Sequence, residues 1–199
     1  MRFLQLLQRL KYIMFNKYTF VNCMILALIS TMFPISQAAP AAQEYQIKAV
    51  FLFNFVSFIT WPANSFKQES DPFRVCIFGE DPFGTVLDLT IENHTVEGRE
   101  MKILRLKDLP TIRNCQILFI SDSEQARQKD ILKTIRALPI LSVGDSENFI
   151  QQGGMIKFFS HNNKIRLGVN PDALETVGLK ANANLLNLAI IERATGAGK

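Results

Sequence analysis

The stretch FRVCIFGEDPFG (residues 73–84) carries the most suggestive spacing in this chain. An apolar run ends at Gly79, and a second glycine, Gly84, follows five residues later. That is the front half of a phosphate-binding loop, in which backbone N–H groups cradle a phosphate and a following lysine meets its charge. Here Thr85 and Val86 follow, with no lysine, and Glu80 and Asp81 place two negative charges inside the loop. The residues read better as a strand end followed by a helix start over 83–91, with Asp81 as N-cap and Pro82 in the first turn.

Two further strand-like runs end the same way, in Ser121-Asp122-Ser123 and Gly144-Asp145-Ser146. In a parallel sheet, Asp81, Asp122 and Asp145 would share the carboxyl edge, where open α/β sheets place ligands. The chemistry offered is an acidic, hydroxyl-lined cleft; the plainer alternative is three helix caps. His94 and His161 both fall in loop-like sequence. No Gly-x-Ser-x-Gly elbow, His-Glu-x-x-His or Cys-x-x-Cys occurs. No catalytic constellation, cofactor site or metal site is expected, and the chain does not read as an enzyme.

The N-terminus has its own logic. Arg2, Arg9, Lys11 and Lys17 precede the apolar run 20–33, and no acid occurs before Glu44. Pro34 and Ser36-Gln37-Ala38 follow. Basic region, short apolar core and small residues make residues 1–38 a secretory signal peptide, cut after Ala38 or Ala39. The core is short of the roughly 20 residues a spanning helix needs. Cys23 lies inside it and reads as filler. Removing residues 1–38 takes those four bases from the 22 and none of the 18 acids, so the exported chain is balanced. Nucleic acid is thus no expected partner, since binding it needs surplus Lys and Arg. The two remaining cysteines, Cys76 and Cys115, lie in core-like runs. In an oxidising compartment they are expected to pair, the alternative being two buried thiols.

These residues need elements to position them. Residues 43–59 (QEYQIKAVFLFNFVSFI) predict a helix that is apolar nearly all round, stopped by Trp61-Pro62. Strands are expected at 73–78, 99–106, 115–120 and 139–144, with helices at 83–91, 123–138 and 147–154. MIKFFS and KIRLGVN flank His161-Asn162-Asn163 as a hairpin. Asn170-Pro171 starts a helix, and a last helix spans 183–193. The expected architecture is one α/β domain over 43–193. It has three layers: a mostly parallel sheet, helices on both faces, and a C-terminal antiparallel hairpin.

Five landmarks occur in order: EYQIKAVFLFNFVSFITWP (44–62), FRVCIFGEDPFG, CQILFISDSE (115–124), ILSVGDSENFIQQGGMIKFF (140–159) and IRLGVNPDALETVGLKANANLLNLA (165–189). Together they resemble the YfiR-like periplasmic repressors. The resemblance implies a periplasmic α/β domain, often a homodimer. Such a domain binds the sensor domain of an inner-membrane diguanylate cyclase and holds it inactive, lowering cyclic di-GMP and biofilm growth. Some members accompany a membrane sensor kinase instead, which leaves a small-ligand-binding accessory as the alternative. The family's strand cysteines map onto Cys76 and Cys115. The second cysteine pair of some relatives is absent, so no switch can be built on it. Contact by apolar anchors would fall to the Phe-rich helix (Phe51, Phe55, Phe58) or the C-terminal helix (Leu185, Leu188).

Overall fold

The computed structural model describes the backbone of residues 40–194. The expectations for residues 1–38, including the signal peptide and Cys23, lie outside the described residues.

The chain opens with helix α1 (Pro40–Phe58) and a two-residue strand β1 (Ile59–Thr60). The α/β core follows as β2 (Phe73–Phe78), α2 (Thr85–Ile91), β3 (Thr95–Val96), β4 (Arg99–Leu106), β5 (Ile117–Ile120), α3 (Gln128–Ile135) and β6 (Leu141–Gly144). The hairpin β7 (Ile156–His161) and β8 (Lys164–Val169) leads to α4 (Pro171–Thr176), β9 (Lys180–Ala181), α5 (Ala183–Leu188) and β10 (Ala189–Ile191). Eight strands form one sheet in the order β10-β8-β7-β6-β5-β2-β4-β3. The strands from β4 to β7 run parallel; β7–β8 and β3–β4 are antiparallel. This is the expected mostly parallel sheet with its C-terminal hairpin. Among the described residues, no helix is long and apolar enough to cross a membrane.

Both faces of the sheet are covered because the central strands are apolar on both faces. In β2, Phe73, Val75 and Ile77 enter one core layer with Leu52 of α1 and Leu87 of α2. Cys76 and Phe78 enter the other, with Ile131 of α3 and Ile112 of a short 3-10 helix (Leu109–Asn114). β5 divides the same way: Ile117 and Phe119 against Leu118 and Ile120. Cys76 and Cys115 are joined by a disulfide in the second layer, with Cα atoms 5.9 Å apart.

Several elements differ from the sequence expectation. The helix expected at 83–91 begins at Thr85 behind Gly84, and Asp81 does not cap it. Asp81 Oδ1 instead accepts the N–H of Phe83, a local Asx turn. The helix expected at 123–138 splits into a 3-10 turn, Asp122–Glu124, and α3. Residues 147–154 form successive turns rather than a helix. Here Phe149 packs so closely on Gly144 and Gly154 that a Cβ at either would lie within 2.4 Å of its ring. The last helix stops at Leu188, and Ala189–Ile191 pair in parallel with Leu167–Val169. The β-branched pair Ile190-Ile191 takes the open edge of β8 instead of extending the helix. Local signals elsewhere hold. Asn170 accepts the Ala173 N–H at 3.2 Å with Pro171 in the first turn. Asn162 and Asn163 turn the hairpin at positive φ, as a type I′ turn requires.

The disulfide closes a loop between residues 39 apart. Without residues 1–38, the unreduced protein should expose no thiol to labelling even after denaturation. Replacing both cysteines by alanine should lower unfolding stability by ~3–4 kcal/mol, the chain-entropy value for such a loop. Two labelled thiols would overturn this.

Candidate functional site

The five parallel strands lie in the order β4-β2-β5-β6-β7, so the direction of winding reverses between β2 and β5. That reversal normally opens a ligand crevice at the carboxyl edge. Here it is sealed. The Glu80 N–H donates to Ser123 Oγ at 2.9 Å, joining the two strand ends. Gly79 has φ +96°, and a Cβ there would lie 2.6 Å from Ser123 Oγ and Glu124 Cγ. Arg105 clamps the Gly79–Gly84 turn from the β4 side. Its Nε donates to Asp81 Oδ2 at 2.7 Å, and its Nη2 donates to Asp88 Oδ2 at 2.7 Å and to the Gly84 carbonyl at 3.1 Å. Bonding to Asp88, more than to Asp81, pushes the Arg105 guanidinium pKa well above its usual value. The turn is a closed acidic knot in which Arg105 is already paired with Asp81 and Asp88, a poor host for a phosphate.

An open cleft lies farther along the edge. β7 pairs with β6 through Val143–Ile156 and Gly144–Lys157, then runs on to His161. Phe158–Ser160 therefore overhang the end of β6, and the N-terminal half of α1 helps to line the notch. The cleft holds about 270 Å³ and is lined by Glu44, Lys48, Asp122, Asp145, Glu147 and Phe158, among others. Asp122 and Asp145 thus meet here, as the sequence pattern suggested. Asp81 does not join them; it is tied to Arg105.

Lys48 organises the cleft. Its side chain is only 3% exposed, with Nζ 2.6 Å from Glu44 Oε1 and 2.7 Å from Asp145 Oδ2. Tyr45 Oη donates to the same Asp145 oxygen at 2.9 Å. The ammonium also sits 4.3 Å from the Tyr45 ring centroid. Burial, then the charge and hydrogen bond of Asp145, pushes the Tyr45 phenol well above its usual pKa. Lys48 belongs to no motif in the sequence and does not stand out in the apolar helix 43–59. The signal that could have found it is Glu44 one turn earlier, an i,i+4 acid–base pair.

The apolar contact residues separate on burial. Phe55 and Leu185 are core residues with no exposed surface, so a partner could reach them only if the packing opened. Phe51 and Phe58 are half-buried, and Phe51 packs on Phe158. Leu188 remains 57% exposed. Among the described residues, the exposed large hydrophobic side chains of α1 are Ile47 and Val50, on the helix face turned away from Leu52 and Phe55. Near the C-terminus, Pro171, Leu174, Leu179, Ala181 and Leu186, with Glu175 and Lys180, line a mainly apolar groove of about 330 Å³. β10 bears exposed Ile190 and Ile191 at the sheet edge. His94 lies against Phe53, and His161 is exposed at the hairpin turn. Among the described residues, no group of three His, Cys, Asp or Glu is placed to hold a metal ion.

The model of the YfiR/HmsC-like family matches residues 45–190, spanning the helix, sheet and C-terminal segment just described. The chain belongs to that family.

Two outcomes test the cleft. Lys48→Met should cost about 3–5 kcal/mol in urea unfolding followed by the single tryptophan, because it strands a buried carboxylate. A loss within surface-pair range, about 1 kcal/mol or less, would mean the pair is solvated. Tyr45 is the only tyrosine outside residues 1–38. Phenolate absorbance of the chain lacking those residues should therefore titrate above the ordinary value of about 10. A raised folded pKa contributes stability that is whole below the unfolded value and is lost as pH climbs through the folded one. Titration at the ordinary value would contradict the Asp145 contact.

Proposed function

We propose that this member of the YfiR/HmsC-like family is a periplasmic regulator that acts by contact. It is exported through residues 1–38. It binds the sensor domain of an inner-membrane signalling enzyme, a diguanylate cyclase, and holds it inactive, so that cyclic di-GMP and biofilm growth stay low. The observation that carries this reading is the apolar surface of the C-terminal segment within a domain that belongs to this family. Leu188, Ile190 and Ile191 are exposed there, and α4, β9 and α5 line the groove.

The physics suits an inhibitor. A doubly covered sheet stapled by a disulfide presents its surface with little ordering cost on binding. An apolar groove can take a few anchor side chains, and such anchors dominate association energies. The outer edge of β10 adds unpaired backbone groups that can accept a strand from a partner. A second copy of the chain on one of these surfaces would give a homodimer. A membrane sensor kinase is the alternative partner. The sealed crevice at Ser123 and the pairing of Arg105 both argue against nucleotide chemistry in this chain.

Deleting the gene should raise cyclic di-GMP, or kinase output if that is the partner. Leu188→Glu should reproduce the deletion while leaving circular dichroism and thermal unfolding unchanged, because an unpaired charge must be desolvated at the contact. Leu185→Glu should instead unfold the domain. Unchanged signalling on deletion would overturn the regulatory reading.

A further inference from the structure

The cleft at the end of β6 leaves one acceptor unanswered. The Asp145 side chain is 10% exposed. Its Oδ2 takes both Lys48 Nζ and Tyr45 Oη. Its Oδ1 is buried and has no hydrogen-bond partner among the described residues. Buried carboxylate oxygens are rarely left without a donor, because the lost hydration is not replaced. The surroundings sharpen the point. Glu44, Asp122 and Glu147 line the same cleft against one ammonium, Lys48, whose ion pairs are to Glu44 and Asp145. Three negative charges are left uncompensated at the site.

We propose that this cleft binds a small organic cation, a primary amine or guanidinium on a short apolar body. Its N–H groups supply donors to the Asp145 and Asp122 carboxylates. Phe158, Phe159 and the Tyr45 ring receive the body and the cation's face. The volume of about 270 Å³ far exceeds one water's share of about 30 Å³ and falls just under the usual drug-sized range. A phosphate or carboxylate ligand would meet four carboxylates at close range, which excludes anions. A bare metal ion lacks its ligand set among the described residues. The ligand would touch Glu44, Tyr45 and Lys48 on α1, so its binding energy is delivered to the helix that also builds the core. The inference needs no partner and is independent of the regulatory reading.

The test is calorimetric titration of the purified protein with agmatine and putrescine as probes, and succinate as the anionic control. Saturable one-to-one binding of an amine at physiological salt, with none of succinate, is expected. The double variant Asp122→Asn/Glu147→Gln keeps the Lys48–Asp145 pair and should weaken binding at least about tenfold, near 1.4 kcal/mol. Amide resonances of Ser146 and Phe159 should shift in the wild-type protein during the titration. Three results would overturn the proposal: no saturation by either amine in the low-millimolar range, equal binding to the folded double variant, or equal binding of succinate.

Discussion

The pairing of β2 with β5 is the constraint on which the rest of the domain depends. Val75–Phe78 and Ile117–Ile120 lie side by side in parallel, and all eight of these side chains are buried. Successive side chains point to opposite faces, so each strand feeds two separate cores. A one-residue slip would exchange Val75 and Ile77 for Cys76 and Phe78 between layers, undoing both at once. The register is held at both ends. At the amino end, Gln116 accepts the Arg74 N–H through Oε1 at 2.8 Å and donates through Nε2 to the Ser65 carbonyl at 2.9 Å. Its own carbonyl receives Trp61 Nε1 and the Leu141 N–H. At the carboxyl end, Ser123 closes on Glu80; the disulfide ties the residue just before β5, Cys115, to Cys76 in the middle of β2.

That closure has a functional consequence. A doubly wound sheet offers its ligand crevice where the winding reverses, and here the reversal lies between β2 and β5. Holding those strands together with Ser123 and Gly79 removes the crevice. The available surfaces are moved outward, to the notch where β7 outruns β6 and to the groove lined by α4, β9 and α5. The two differ in chemistry: one is acidic with a buried lysine, the other apolar. Helix α1 connects the first to the core, since Lys48 faces the cleft while Leu52 and Phe55 pack under it. Its far end is tied to the C-terminal segment, because Asn182 donates to the Ser57 carbonyl and the Asn182 N–H to Phe58 O. A rigid element thus runs from one surface toward the other.

How a segment reads depends on whether its partners are local. Phe73–Phe78, Arg99–Leu106 and the Asn170-Pro171 helix start are legible from neighbouring residues alone, since alternation, β-branching and capping act over a few positions. Residues 147–154 mislead because their helical appearance competes with Phe149 wedging between Gly144 at the end of β6 and Gly154 at the close of the same segment. Ala189–Ile191 mislead because Leu-rich continuity from α5 suggests a helix, whereas the open edge of β8 is invisible along the chain. Phe55 and Leu185 suggested contact residues by composition. A helix apolar all round does not say which apolar side chain faces inward, and only packing separates Phe55 from Val50.

By itself the sequence determined the class of the molecule: parallel strands covered on both faces, a hairpin turned at Asn162-Asn163, two cysteines in core-like runs, and no phosphate loop despite its glycines. Those conclusions rest on short-range chemistry, namely the alternation of side chains, the conformational freedom of Asn and Gly, and the sign of Glu80 and Asp81. The tertiary structure alone decided which acids come together. Asp145 meets Lys48 and Tyr45 from about 100 positions away, and Asp81 pairs with Arg105 along the edge instead of joining the other two acids. It also decided that Leu188 faces outward and Leu185 inward. Those outcomes depend on strand order and on β7 extending past β6. Both are set by packing energies summed over the whole sheet, not by any neighbouring pair of residues.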